Sequence, residues 1–530
     1  MYLVPGFYKA FRVVLLGAIF SMGWNLSLCQ PGACDTIFGN NGIVVTKIGP
    51  GTDVALSTIV QEDQKIVSAG YSYDEGQRKF TLIRYDTIGN PDHNFGNNGL
   101  AFVSFGTGKS VGTSLILQPD QKLVLSGYAN NGAFNDFALA RFNTDGTLDQ
   151  SFGNEGKIVT SFNSYSIIKS SALDALQRII VAGTTGDGPV SPGNHVFAIC
   201  RYLSTGKIDS TFGDGGKVLT HISNDAVATS VAIQTDGKIV VSGYSYIGYT
   251  TVFTVVRYNT DGSFDQSFGD AGIVLTSIGI SSSPNSMVIQ SDGRIVVVGN
   301  SFDGQKNNLA IVRYNSDGML DSLFAENGVK LLNVSSNDNF ARSVILQPDH
   351  KILVATNIKE SDQEYHIGLV RLLCNGSIDS VFGEDGITKT KISQVSGDFA
   401  ESICLQKDNK ILLGGWTKLS DTVSAFAVIR YLSGITSAIY SNSIVSFRIY
   451  PNPVKHKTTI EFFLKNKEIV SSFLMDMNGR VLAEVIHAQY FDSGLNKITI
   501  DLPEKLSPGV YILSFITSQE KRFIKIEKEQ

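Results

Sequence analysis

The stretch Asn259–Thr276, NTDGSFDQSFGDAGIVLT, decides how the whole chain is read. Taken alone, Asn259, Asp261 and Asp265 place oxygens at positions 1, 3 and 7 of an acidic loop, as a calcium site of the EF-hand kind does. Position 5 is Ser263, and position 12 is Asp270, too short for the bidentate glutamate such a loop needs. A turn asks for less: Gly262 for a positive φ, and Asn or Asp to bond the backbone. The rest of the chain favours the turn and leaves calcium as the second reading, because the same pattern returns again and again.

The Phe-Gly pair stands at Phe38, Phe95, Phe152, Phe212, Phe268, Phe324 and Phe382, with Ala325 replacing glycine in the sixth copy. Successive copies are 56 to 60 residues apart. An aspartate precedes each phenylalanine by three residues, from Asp35 to Asp379. An arginine stands near the end of each unit, from Arg84 to Arg430. A Gln-x-Asp-x-Lys/Arg turn also recurs, as at Gln234–Lys238, and the third unit departs from it with Ala175-Leu-Gln-Arg178. Seven equivalent copies cannot form one catalytic centre, so these residues read as scaffold. Arg257 and Asp265 are expected to form a bidentate ion pair that sets register. Phe268 is expected to plug the seam between units, and Gly269 to turn the chain.

Each unit holds four short runs rich in β-branched and aromatic residues. In the fourth-to-fifth copy they are Lys217–His221, Thr229–Gln234, Lys238–Tyr244 and Phe253–Tyr258. Asp-Gly and Asn-Gly turns bound them. Repeats of about 57 residues with four strands apiece predict an all-β fold, a seven-bladed β-propeller over residues 35–431. A β-solenoid is the competing repeat fold, but its coils are shorter than this unit. The first unit opens with a lone strand and the last is one strand short. Ile43–Thr46 is therefore expected to complete the seventh blade beside residues 399–431, hiding two sheet edges. Ile273–Thr276 reads as the outer strand of the next blade.

These units resemble the delta-60 repeat of secreted bacterial proteins, with its pattern L-D-x-S-F-G-x-x-G-x-V, then Q-x-D-G-K-I-V-V-x-G, then A-x-x-R-Y-N. TLDQSFGNEGK at 147–157 and QTDGKIVVSG at 234–243 match it almost throughout. The resemblance implies an architecture; no defined activity travels with the motif.

Formal net charge is −5 over 530 residues, without the basic excess of a nucleic-acid binder. Fifty-two glycines against 13 prolines suit tight turns between strands rather than disorder. Residues 1–29 read as a secretory signal peptide: Lys9 and Arg12 precede an apolar run, Val13–Trp24, and Ser27 sits at −3 if cleavage follows Cys29. A lipoprotein signal ending in Cys29 is the other reading, disfavoured by the bulky Leu28. Cys34, Cys200, Cys374 and Cys404 show no CxxC spacing, which argues against a zinc or redox site.

Composition changes after Tyr431. Residues 432–446, LSGITSAIYSNSIVS, are serine-rich and uncharged, as a linker is. Alternating strands over 447–530 predict a small Ig-like β-sandwich. The motifs there are Pro451-Asn452-Pro453, Gly479 within Leu474–Arg480, Gly509 and Tyr511 within Leu506–Ile512, and Lys525 in a basic ending. Their order and spacing resemble the type A C-terminal sorting domain of the type IX secretion system in Bacteroidota. That resemblance implies the secretion machinery and its sortase as partners. It further implies export through the outer membrane, then release or attachment to surface lipopolysaccharide. Without it, the segment reads as an ordinary immunoglobulin-like adhesion module.

Catalysis finds little support in the sequence. The seven histidines fall at unrelated points of different units, and no G-x-S-x-G, H-E-x-x-H or P-loop occurs. No cofactor is expected, calcium remaining only as the second reading above. Function is sought instead on the loops that do not repeat. Alternate loops of a four-stranded blade emerge on opposite faces, and the uniform turns share one of them. The opposite, variable face then holds Tyr73, Phe134, Tyr246, Tyr249, Phe302, Tyr365 and Trp416. Exposed aromatics beside Asn and Asp suit a glycan or protein ligand. The expectation is a secreted or outer-membrane-surface binding protein without enzymatic activity. A glycan-active hydrolase or lyase on the channel is one alternative, and a purely structural surface protein is another.

Overall fold

The computed structural model describes residues 30–530 except 75, 189–193, 363, 396, 435–443, 465–466, 477–480, 504–505, 518–520 and 530, with backbone alone at 444–446, 488 and 521–523. The signal-peptide segment 1–29, linker residues 435–443 and Gly479 lie outside the described residues.

In the stretch Asn259–Thr276 the acids hold their own loop. Asp261 Oδ1 accepts from the Ser263 amide at 2.9 Å and hydroxyl at 2.7 Å. Asp265 Oδ1 accepts from the Ser267 amide at 3.1 Å and hydroxyl at 2.7 Å. Gly262 takes φ +92° and Gly269 φ +55°, the left-handed region that a Cβ disfavours. Among the described residues, no three His, Cys, Asp or Glu side chains are grouped to hold a metal ion.

The turn then folds back on Arg257, whose carbonyl accepts from the Asp265 amide and whose amide donates to Gly272 O. This reversal decides where the next strand goes. Ala226–Ile233, Ile239–Ile247 and Thr250–Tyr258 form an antiparallel sheet, and Ile273–Thr276 joins its outer edge, Ile273 opposite Val256. The last four residues of the stretch thus complete the blade behind them, not the next one as expected.

Seven such four-stranded sheets lie between residues 43 and 431. Their innermost strands touch in cyclic order, and the last, Asp398–Leu405, touches the first, Val54–Val60. Ile43–Thr46 pairs with Ser424–Tyr431, Ile43 opposite Ile429 and Thr46 opposite Phe426. An early strand therefore closes the ring from the outside and covers an edge that would otherwise be open. The third unit, despite its altered turn, forms the same sheet from Tyr165–Leu173, Ile179–Gly186, Val196–Tyr202 and Lys217–Thr220. There Asp174 takes the place of the usual glutamine and bonds Arg178 at 2.6 Å.

The seams between blades share one construction. Arg84, Arg141, Arg201, Arg257, Arg313, Arg371 and Arg430 each donate from Nε to the aspartate of the repeat at 2.6–2.8 Å. Each guanidinium lies 4.2–4.5 Å over the ring of the repeat phenylalanine. From Nη1 each also donates to a carbonyl on the neighbouring blade: Thr144, Ser204, Thr260, Ser316, Cys374, Ser433 or Thr87. The expected bidentate fork is absent, because the second aspartate oxygen caps the turn and the second arginine nitrogen bridges blades. All seven phenylalanines are fully buried. The residue after each donates its amide across the seam, as Gly269 does to Asp317 O at 2.8 Å.

The C-terminal residues form a second core. Ile444–Tyr450, Lys457–Leu464 and Gly494–Asp501 make one sheet; Val481–Phe491, Glu468–Met475, Gly509–Ile516 and Lys521–Lys528 make the other. Phe462, Phe491 and Phe515 meet between them with ring centroids 4.7–5.0 Å apart. No helix occurs among the described residues.

Three outcomes follow from this construction. Deleting residues 35–48 strips the closing strand and one seam aspartate, so the propeller transition should fall well below that of the intact chain by calorimetry; an unchanged transition would refute closure by this strand. Phe268→Ala should cost roughly 3–5 kcal/mol in denaturant unfolding, from lost burial and the cavity left behind. The third outcome concerns acid. Burial alone would raise the carboxyls of Asp92, Asp149, Asp209 and Asp265. Hydrogen bonds from neighbouring side chains and backbone, with the arginine charge, outweigh burial and hold all four below the usual aspartate range. Stability from a depressed pKa is complete above the unfolded value, about 3.9, and is lost as pH falls through the folded one. The melting midpoint should therefore drop on acidification below about pH 4, and less steeply in Asp265→Asn; equal slopes would remove the pair as a source.

Candidate functional site

Every innermost strand has one β-bulge, always at the same place. Strand pairing skips Leu56, Thr113, Lys169, Thr229, Asn285, Arg342 and Glu401, one in each blade. The residue after each is serine: Ser57, Ser114, Ser170, Ser230, Ser286, Ser343 and Ser402. A bulge leaves one residue without a ladder partner and re-aims its side chain. The serines serve the joint. Ser57 accepts from the Leu115 amide, Ser114 from Ser171, Ser170 from Val231 and Ser286 from Val344, at 3.1–3.3 Å, each donor lying on the following blade. These four serines tie blade to blade, while the residue before the serine differs among the seven blades.

A cavity of about 410 Å³ opens against this wall. The bulge residues Leu56, Thr113, Lys169 and Glu401 line it, with the aromatics Tyr71, Tyr128 and Trp416. These aromatics share one register position, opposite Val54, Val111 and Phe399, two residues before the bulge. Tyr244, opposite Val227, holds the same place in the fourth sheet.

The charges of the wall are arranged across the ring. Arg342 Nη2 contacts both oxygens of Glu401, at 3.0 and 3.1 Å, and Trp416 Nε1 donates to Oε1 at 3.3 Å. Glu401 is therefore oriented by two donors. The Arg78 guanidinium lies 4.7 Å above the Tyr71 ring, a cation–π contact at the cavity edge. Lys169 is exposed and lines the cavity. The surrounding protein, and then Arg342, push its ammonium pKa below the ordinary lysine value against the pull of Glu401. Burial raises the phenol pKa of Tyr71 and Tyr128, so both remain neutral hydrogen-bonding groups.

Of the seven aromatics expected on the variable face, Trp416 alone lines the cavity. It stacks on Phe399 at 4.1 Å, and Phe399 lies 5.1 Å from Tyr365. Tyr246 sits 6.2 Å from Tyr244. Phe302 is half-buried, Tyr73 lies against Gly51, and Phe134 and Tyr249 protrude, Tyr249 fully exposed. His195, the one buried histidine among the described residues, has Nδ1 2.7 Å from Asp225 and Nε2 2.8 Å from Gly188 O, so it braces its loop. Sequence reasoning missed Tyr71, Lys169 and Glu401, because residues within strands read as blade core, and it passed over Arg78 and Tyr128 on variable loops, 73–79 and 128–135, where other aromatics were singled out. One signal was present: a changing residue before a serine that does not change.

In the C-terminal sandwich, Asn452 fastens the Pro451-Asn452-Pro453 turn to the last strand. Its Oδ1 accepts from the Glu527 amide at 2.9 Å and its Nδ2 donates to Lys525 O at 3.0 Å. Gly509 opens the strand that holds Tyr511, whose hydroxyl donates to Ser507 O at 2.7 Å.

Residues 61–95, 118–152, 234–268, 290–324, 347–382 and 406–434 match the family described as "Domain of unknown function (DUF5122) beta-propeller". The unit with the altered turn is the one those matches pass over. Residues 448–528 match a secretion system C-terminal sorting domain. No curated protein matches the chain. Among solved structures, a protein of unknown function from Dyadobacter fermentans aligns at 10% identity and TM-score 0.37, over 74% of this chain and 98% of its own. Polysaccharide lyase Uly1 aligns at 10% identity and TM-score 0.43, over 74% and 91%. Drosophila Semaphorin 2a aligns at 8% identity and TM-score 0.42, over 94% and 98%. None of these three bears on what the chain binds or does. The chain thus carries DUF5122 β-propeller repeats and a type IX C-terminal sorting domain, which marks it for export to the cell surface or the medium.

Proposed function

We propose that the protein is an extracellular glycan-binding propeller that takes its ligand in the cavity at the inner wall. The observation that carries this reading is the aromatic register. Tyr71, Tyr128 and Trp416 are placed by three different blades around one cavity of about 410 Å³. Flat apolar rings with polar edges, set beside charged groups that fix orientation, suit the faces and hydroxyls of sugars. The size is that of a small-ligand site. Binding is favoured over turnover because Glu401 is already engaged by Arg342 and Trp416, and His195 by Asp225 and Gly188.

Export places the site where polysaccharides are met. The secretion machinery acts on the C-terminal sandwich, whereas the ligand meets the propeller. Attachment to surface lipopolysaccharide and release into the medium are both compatible with this division.

A glycan array probed with the exported chain tests the reading. Binding should weaken about tenfold or more in Trp416→Ala and Tyr71→Ala, with the bound glycan recovered intact. Shortened or unsaturated products would convert the proposal into an enzyme. Binding to no glycan would overturn it in favour of a structural surface role.

A further inference from the structure

The cavity is cationic in an anionic protein. The whole chain has a formal charge of −5. Arg78, Lys169 and Lys418 line the cavity, Glu401 and Asp421 are its acids, and Arg342 pairs with Glu401. Four cations against two acids leave two positive charges in excess.

The excess has a definite place. Glu401 is held by Arg342 and Trp416 on the far side of the ring from the Lys169 strand. Among the described residues, no carboxylate lies within ion-pair distance of Lys169 or Arg78, and no hydrogen bond engages the Lys169 ammonium. Two cations that line one cavity without a counter-charge repel each other, and an anion brought between them relieves that cost. Packing does not require lysine there: the same bulge position holds Leu56, Thr113, Thr229 and Asn285 in other blades.

Resting on the glycan reading above, the geometry points to an acidic glycan as the ligand. Its carboxylate or sulfate meets Lys169 and Arg78, and its sugar ring lies against Tyr71, Tyr128 and Trp416. Lys169 and Arg78 then set specificity, while the aromatics supply contact common to any sugar.

The test uses the full chain from residue 30 and two matched pairs of polymers in titration calorimetry. Polygalacturonate is set against its fully methyl-esterified form, and dextran sulfate against dextran. At least one acidic member should bind about tenfold or more tightly than its neutral partner, and added salt should weaken it. The preferred pair identifies carboxylate or sulfate as the anion. Lys169→Met should abolish the preference, Lys169→Arg should retain most of it, and Arg78→Gln should reduce it. A melting midpoint measured for each variant separates lost folding from lost binding. Equal affinity for acidic and neutral members, still sensitive to Trp416→Ala, overturns this inference and leaves the glycan reading standing. A preference undiminished in both Lys169→Met and Arg78→Gln overturns it as well. Failure to bind any of the four polymers, together with silence on the array, overturns both.

Discussion

One arginine at each seam holds the ring together. Its Nε meets an aspartate, its plane covers a phenylalanine, and its Nη1 reaches a carbonyl of the neighbouring blade. A buried charge pair is a poor source of net stability unless its remaining donors are satisfied. Here Nη1 is satisfied in every copy by a carbonyl of the next repeat. The interaction therefore acts less as an ion pair within a blade than as a gauge of the distance between blades. Repeated seven times, it leaves little freedom in how blades are spaced, and closure then depends on the count.

Closure comes from a strand out of order. Because the turn after each third strand doubles back on its arginine, every outer strand joins the blade already made. The first outer strand has no preceding blade and is left for the last one, where Ile43 meets Ile429. The same reversal that places Ile273 beside Val256 inside the ring thus seals the ring itself. Local turn chemistry and global closure are one device.

The inner wall divides labour differently. Four of the seven bulge serines bond the next blade. The residues before the seven serines differ from blade to blade: Thr113 and Asn285 bond a carbonyl of the next blade, at Ile168 and Ala341, whereas Lys169, Arg342 and Glu401 bring charge. This is why the cavity is asymmetric in a nearly sevenfold scaffold. Lys169, Arg342 and Glu401 occupy equivalent positions and form one electrostatic group across the ring. The C-terminal sandwich has its own aromatic core, so the export signal does not depend on what the propeller binds.

Much of this was legible in residues alone. Spacing of Phe, Asp and Arg implied seven units of four strands, since such periodicity reports a blade packed the same way each time. Pro451, Asn452 and Pro453 marked the sorting domain. The pairing of Arg257 with Asp265 could be anticipated, but not its single-contact geometry, which depends on a carbonyl 59 residues away. Trp416 could be placed on the variable face; Tyr71, Lys169 and Glu401 could not be told from core, because a strand residue's exposure depends on whether another blade covers it. Sequence by itself determined the repeat, the turns and the destination, all of which rest on short-range chemistry. Only the tertiary structure decided the candidate site, because its residues come from blades far apart in the chain and meet solely when the ring closes.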